Sequence, residues 1–549
     1  MNFIPRPSLA EREAGATSTP GRIASQKPAG SRSSSRRARL LALFLLVVIL
    51  SSAAYFLLGQ YEKLAGAYFV IDDAWIHLQF AKNLAEGYGF SFNPGEPIAA
   101  STAPLWTVIL AVSYKVTGEL VLSAYFFGVV FFAATCFLVY RLVLLITDNF
   151  LLAAASATVS SLCPWLTWSA LSGMEIPLSA ALILTTILLH LKYQDDSNWK
   201  GYLGSVAAGL TTLARPETYT LFLAIVIHRG ARGFLSARGR NRRALFVWLP
   251  MAGLVFTLIV LPYGLFSLTT VGSFFPNTYL AKVGDLGLIG AINSGSAQAI
   301  KLALFANPRL YLGDFVEALA MISPVLAVAL PFGILGLLRK DLYFLPLFLI
   351  LFPLVVGMVI PADRISWPWY RHMLNLIPVF VIVSLVGSHS LLEKILSWAP
   401  RWAAPVRRSL VGILIIAIGL LFLAWQPKAR ESFVSRGAAI KTEHIAMANW
   451  INQHLPHQAV LAASDIGVVG FYTQRYIIDT EGLITPDILG EHRRNSSAKD
   501  QEVYQYLQET QPDYLVKFRT VYPSFSEEEF MPIHSCGKLV VYQTPWTGY

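Results

Sequence analysis

Leu40-Leu41-Ala42-Leu43-Phe44-Leu45-Leu46-Val47-Val48-Ile49-Leu50-Ser51-Ser52-Ala53-Ala54-Tyr55-Phe56-Leu57-Leu58 is an uncharged run, close to the ~20 residues a helix needs to cross a hydrocarbon core. It is too long for a signal peptide and has no clear small-residue cleavage site. It therefore reads as a retained span. Residues 1–38, ahead of it, are rich in Ser, Arg, Pro and Gly, the composition of a disordered basic arm left in the cytoplasm. Beyond it comes Ile71-Asp72-Asp73-Ala74-Trp75-Ile76-His77. Adjacent carboxylates in so apolar a chain belong in a water-filled mouth and mark a working site.

The rest of the chain sets the class. Of 549 residues 55% are hydrophobic and only 14% charged, far more apolar than a soluble protein. The expected fold is a polytopic α-helical membrane protein in the cytoplasmic membrane. The formal charge of +10 falls in short clusters between apolar runs, without interleaved aromatics. That pattern fits loops held at an anionic leaflet and excludes a nucleic-acid groove. Cys136, Cys163 and Cys536 offer no disulfide pair and no metal quartet.

Lys and Arg should recur on every second side of the bilayer. With a cytoplasmic N-terminus, runs near 121–145, 150–168, 175–193, 244–266, 315–337, 342–360, 373–390 and 409–426 read as spans, and Pro104 to Gly118 as a helix at the outer face. Ala214-Arg215-Pro216-Glu217 should break 202–228 into two short helices with an outward bend. The loop from Arg229 to Arg243, with six arginines, is the strongest inside signal. About eleven spans result. They gather Asp72, Asp73, Glu175, Arg215, Glu217, Lys282, Arg364 and Arg371 on the outer side.

The chain divides into the arm 1–38, a transmembrane catalytic domain 39–427 with a first outer loop 59–120, and an extracytoplasmic α/β domain 428–549. In the last, Ala459 to Ala463, Tyr476 to Asp479, Tyr514 to Phe518 and Lys538 to Gln543 read as strands and Gln501 to Glu509 as a helix. Asp465-Ile466-Gly467 reads as a turn after a strand.

Neighbouring carboxylates raise one another's pKa, so one can take a proton from a hydroxyl while the other orients it or holds a cation. Mg²⁺ or Ca²⁺ is compatible with the Asp72-Asp73 pair and not required by it. On a helix Asp73 shares a face with His77, and Asp72 points about 100° away. This reading favours Asp72 as the base. The plain alternative makes Asp72 or Asp73 a helix cap, Glu175 a helix-start residue, Arg215 and Glu217 a buried pair, and Arg371 with His372 interfacial anchors. Taken together, the outward acids and bases fit a site that holds a phosphate through Arg215, Lys282 or Arg371 and activates a hydroxyl through Asp.

These residues resemble a known family. Asp72 to Trp106, Ser172-Gly173-Met174-Glu175-Ile176-Pro177-Leu178, Ala214-Arg215-Pro216-Glu217 and Pro276-Asn277-Thr278-Tyr279 with Ala281-Lys282 look like successive motifs of the GT-C glycosyltransferases. The resemblance is to the branch with the terminal arabinofuranosyltransferase of mycobacterial cell walls, and it extends to Asp465-Ile466-Gly467 and Pro512-Asp513-Tyr514. It implies inverting transfer of a sugar from a polyprenyl-phosphate donor to an extracytoplasmic glycan, lipid or protein. It makes Asp72 or Asp73 the general base, with Asn277, Tyr279 and Lys282 on the donor side and His77, Glu175, Arg215, Glu217, Arg371 and His372 as further substrate-binding candidates. Trp75, Gln79-Phe80 and Ala99-Ala100 depart from that branch where a sugar or acceptor could be contacted. Two other classes remain: a flippase of lipid-linked glycans, which should show repeated halves and midplane charges, and a non-catalytic envelope-assembly scaffold.

Overall fold

The computed structural model describes residues 31–196, 198–235, 239–283, 287–338, 342–360, 372–398, 400–488, 496–526 and 528–547. Arg364 and Arg371 lie outside them. The helices are α1 Ser31–Leu64, α2 Asp73–Glu86, α3 Pro104–Thr117, α4 Leu120–Thr147, α5 Phe150–Ser161, α6 Pro164–Ala170, α7 Ile176–Tyr193, α8 Leu203–Ala214, α9 Tyr219–Leu235, α10 Gly239–Val271 and α11 Asn277–Lys282. There follow α12 Leu288–Asn293, α13 Ala297–Lys301, α14 Asn307–Ile322, α15 Pro324–Leu337, α16 Phe344–Val359, α17 Ile377–Ile395, α18 Pro400–Ala439, α19 Ala446–His454, α20 Gly467–Thr473 and α21 Ser496–Thr510.

Among the described residues six helices are long and apolar enough to cross a bilayer, in α1, α4, α7, α10, α17 and α18, or seven if α5 and α6, bent by 60°, count as one. Of the about eleven spans expected, these six or seven meet that measure, with α15 and α16 as shorter apolar helices. Proline explains much of the difference. It cannot donate to the preceding turn, so 202–228 breaks at Arg215-Pro216 and 315–337 at Ser323-Pro324, leaving helices of 12 to 17 residues. Burial orders the bundle. The apolar windows of α17 and α7 are 83% and 67% buried, against 22% and 17% for α18 and α10, so α7 and α17 are central.

The two ends of α7 mark opposite faces. Glu175 precedes its first turn, and beyond its other end Asp195 pairs with Arg232 at 3.0 Å. On that second face Arg229 also lies over the Trp248 ring. Arg229 and Arg232 on one side and the Glu175 cluster on the other therefore sit at different ends of the bundle.

From Ala404 to His454 α18 continues through a π turn, Ile440–Ile445, into α19 as a 51-residue rod. At 1.5 Å per residue this is about 75 Å, more than twice a hydrocarbon core. Past Gln426 it carries Lys428, Arg430, Glu431, Arg436, Lys441, Glu443 and His444, so that half stands outside the spanning segment. It leads into a five-stranded sheet of β1 Leu461–Ala463, β2 Ile477–Asp479, β3 Tyr514–Phe518, β4 Met531–Cys536 and β5 Leu539–Gln543, in the order β2-β1-β3-β5-β4. β1 runs parallel to β2 and β3, while β5 is antiparallel to β3 and β4. β4 escaped the sequence reading because its side chains are mostly half-buried or exposed, which leaves no apolar alternation.

One face of this sheet packs on α21. The other packs Leu461, Ala463, Val516 and Val541 against α19 and α20, and also against Ile76, Phe80, Phe92 and Ile98 of the segment after α1. Burial of apolar area at about 25 cal/mol per Å² drives both interfaces. The first loop and the C-terminal sheet thus share one hydrophobic core.

Candidate active site

Where that shared core meets the bundle there is a cavity of about 150 Å³, lined by Asp73, His77, Ser101, Met174, Glu175, Arg215, Glu217, Thr278, Tyr279, Lys282, His372 and Leu483, among others. A dry cavity of about this size accepts a six-membered ring. Of the sequence candidates, Asp73, His77, Glu175, Arg215, Glu217, Tyr279, Lys282 and His372 converge here. Asn277 lies just behind the wall, and Arg371 is outside the described residues.

The floor is an ion network. The bend between α8 and α9 turns the Arg215 guanidinium inward, where Nε donates to Glu217 at 2.6 Å, Nη1 to Glu175 at 2.6 Å, and Nη2 meets His372 Nδ1 at 2.7 Å. All three guanidinium nitrogens are engaged, so Arg215 is the keystone of the site and not an open phosphate clamp. Burial pushes the Glu175 carboxyl up, but Arg215 and His77 outweigh it and hold it at about 2. It stays charged. His77 bridges Glu175 (Nε2 to Oε2, 3.4 Å) and Ser101 (Nδ1 to Oγ, 3.3 Å). Ser101 in turn touches Thr107 at 3.2 Å, and its carbonyl accepts from Tyr263 at 2.5 Å.

The mouth differs. Asp73, in the first turn of α2, faces the cavity with its carboxylate 3.9 Å from the Lys282 ammonium; both side chains are partly exposed, at 32% and 40%. Beside them the Thr278 and Tyr279 hydroxyls are buried without a hydrogen-bond partner among the described residues. An unpaired buried hydroxyl costs about 1–3 kcal/mol, a cost that a hydrogen-bonding group in the cavity would offset. Burial pushes the Tyr279 phenol up to about 12, which keeps its proton available for donation.

Asp72 turns the other way. It stands at the N-cap position of α2 but makes no side-chain cap there. Its carboxylate instead accepts the backbone N–H groups of Gly467 (2.7 Å) and Val468 (2.8 Å) at the start of α20. Gly467 is required, since a Cβ there would collide with the Asp72 backbone carbonyl and carboxylate. Asp465-Ile466-Gly467, read from the sequence as a turn, leads into α20, a helix whose first N–H groups are capped by a residue nearly 400 positions away. Asp465 accepts from His444 at 3.0 Å. Burial and the Asp465 charge raise Asp72 to about 7, against His444 and the two N–H groups. Burial lowers His444, but its bond to Asp465 and the Asp72 charge outweigh this and bring it to about 8.

The two acids do not converge, so the geometry does not offer them as a shared Mg²⁺ or Ca²⁺ site. No group of three His, Cys, Asp or Glu side chains is arranged for a metal among the described residues. Sequence reasoning missed Thr107, Tyr263 and Leu483, which lie outside the motifs and reach the site only through the fold, and did not single out Ser101 within the Asp72 to Trp106 stretch.

The family model described as dolichyl-phosphate-mannose-protein mannosyltransferase matches residues 101–266, the segment that holds Glu175, Arg215 and Glu217. A second, a domain of unknown function (DUF8728), matches 435–547. No curated protein matches the chain in sequence. In structure the chain is similar to ArnT from Cupriavidus metallidurans bound to undecaprenyl phosphate, with 12% identity, 91% of this chain and 97% of that one covered, and a TM-score of 0.55. The apo state of ArnT from the same organism gives 12%, 94%, 100% and 0.52. Arabinofuranosyltransferase AftD from Mycobacteria gives 14% over 91% of this chain and 40% of that one, at a TM-score of 0.41. The fold of this membrane protein is thus similar to that of ArnT.

Proposed function

We propose that the protein is a membrane glycosyltransferase that moves a sugar from a polyprenyl-phosphate donor to an acceptor hydroxyl, with inversion, and that Asp73 is the general base. The observation that carries this reading is the Asp73–Lys282 pair at the cavity mouth, flanked by Thr278 and Tyr279 hydroxyls that have no hydrogen-bond partner among the described residues. ArnT, of the same fold, is described with undecaprenyl phosphate, and the family matched over 101–266 is named for a dolichyl-phosphate-sugar donor; both support the donor class.

In this scheme the donor phosphate takes Lys282, Thr278 and Tyr279 as ligands. Its negative charge draws Lys282 from Asp73, and the freed carboxylate then accepts the acceptor's proton. The acceptor oxygen attacks the anomeric carbon on the face opposite the phosphate. As that bond forms, the carbon–oxygen bond to phosphate breaks, and polyprenyl phosphate leaves with the bonding pair. Lys282 compensates the charge that develops on it. Arg215, held by Glu175, Glu217 and His372, keeps the floor rigid through both stages.

Removing the protein from its native cell should cause one lipid-linked sugar to accumulate, detectable by mass spectrometry, and Asp73→Asn should fail to clear it. Normal lipid-linked sugars in both strains would defeat the transferase reading and favour a scaffold.

A further inference from the structure

We infer that the C-terminal domain is a working half of the transfer site, and that Asp479 is the positioning residue that makes it so. The inference rests on the transferase reading above. It starts from a turn at the end of β2. Fully buried, the Asp479 carboxylate accepts the N–H of Glu481 at 2.9 Å through Oδ1, and those of Leu483 and Ile484 through Oδ2. Its own N–H donates to Thr485 Oγ1 at 2.9 Å. The chain is thereby wound into a tight loop in which Gly482 takes φ +76°, a region other residues enter only with strain.

The loop is held on two sides. Toward its own domain, Thr480 N–H donates to the Ala463 carbonyl at 3.0 Å and the Tyr522 hydroxyl to the Thr480 carbonyl at 2.7 Å. Toward the bundle, its Gly482 and Leu483 carbonyls both accept from the Asn277 side-chain amide, at 2.8 and 2.9 Å. Asn277 is fully buried, and its backbone N–H donates to the Ala99 carbonyl at 2.8 Å. It is also the first residue of α11, which presents Thr278, Tyr279 and Lys282 to the cavity. Leu483 is itself part of the cavity wall. The Asp479 turn therefore fixes where the donor-side hydroxyls and ammonium stand, and supplies a wall besides. Asn277 and Leu483 are specificity and positioning elements contributed jointly by two domains.

The test uses full-length protein in detergent with undecaprenyl phosphate as the probe. Asp479→Asn keeps shape but replaces an accepting oxygen with an N–H₂ group, and Asn277→Ala removes both bonds to the turn. Each should weaken binding about tenfold, the equivalent of one hydrogen bond. The double variant should be no weaker than either single one, because both act through one turn. A variant that only destabilises would lower the unfolding midpoint and leave the affinity of the folded fraction intact. Leu483→Trp, which fills the wall without touching these bonds, should also weaken binding and covers the case in which Asp479→Asn does not fold. Wild-type affinity in folded Asn277→Ala and Leu483→Trp overturns the proposal. Lys282→Ala separates the two levels: if it alone weakens binding, the turn proposal fails and the phosphate site stands, and if it has no effect while Asn277→Ala does, the Lys282 role fails and the turn proposal stands.

Discussion

Asp72 reaches across the interface to accept the backbone N–H of Gly467 at 2.7 Å, while its neighbour Asp73 faces the cavity beside Lys282. One residue thus joins the first loop to the C-terminal domain, and the next serves the site. The proposed base is therefore Asp73, a reversal of the preference for Asp72 that helical geometry alone suggested.

The reversal gives the first prediction. Asp73→Asn should reduce single-turnover transfer by the ~10²- to 10⁴-fold expected of a lost base. Asp72→Asn should keep transfer within about tenfold of wild type and instead cost about 1 kcal/mol of stability, the typical loss of a cap. Comparable loss of transfer in both variants with unchanged unfolding would return the catalytic role to Asp72.

Arg215 should prove structural. Arg215→Ala leaves Glu175 and Glu217 buried without their cation, a change that typically costs about 3–5 kcal/mol. Thermal unfolding in detergent would show it as a large drop in midpoint. Adding Glu175→Gln and Glu217→Gln should recover part of the loss; if the triple variant is less stable still, the carboxylates are not the liability.

Acidity should tighten the interface around Asp72. His444 rises from 6.5 to about 8, so its contribution is fully present below pH 6.5 and is lost as pH climbs through 8. Asp72 rises from 3.8 to about 7, so its contribution likewise falls between those values. Both bind protons more firmly in the folded protein, and stability should decline from mildly acidic pH toward pH 8. Hydrogen exchange at the α20 amides measures this directly. His444→Gln should flatten the slope between pH 6.5 and 8, and an unaltered slope would remove His444 from the linkage.

Orientation is open to a simple test. Because the Arg232 end of the bundle and the Glu175 end lie at opposite ends of α7, a reporter after Arg232 should be cytoplasmic and one after Tyr549 external, as the positive-inside rule requires. Reporters found on the same side would break the link between the charge pattern and this arrangement.

The membrane class, the break at Arg215-Pro216, the spans at α4, α7, α10, α17 and α18, and four of the five strands were legible in the sequence. Each depends on a local cause: apolar length, a missing proline N–H, or a run of strand-forming residues. The lengths of the individual helices were not legible, because an apolar window reports solubility in lipid and not where prolines cut the helix or how deeply it is buried. Eight of the candidate side chains could be named as outward acids, bases and polar groups before their meeting point was known. Only the tertiary structure decided that Arg215 is saturated by Glu175, Glu217 and His372, and that Leu483, from a strand-end turn more than 400 residues after Asp73, shares its cavity. It also put Asp73 at the cavity and Asp72 at the start of α20. Two adjacent acids are chemically identical in sequence, and they acquire separate roles only when one meets the N–H groups of a helix start and the other meets a lysine.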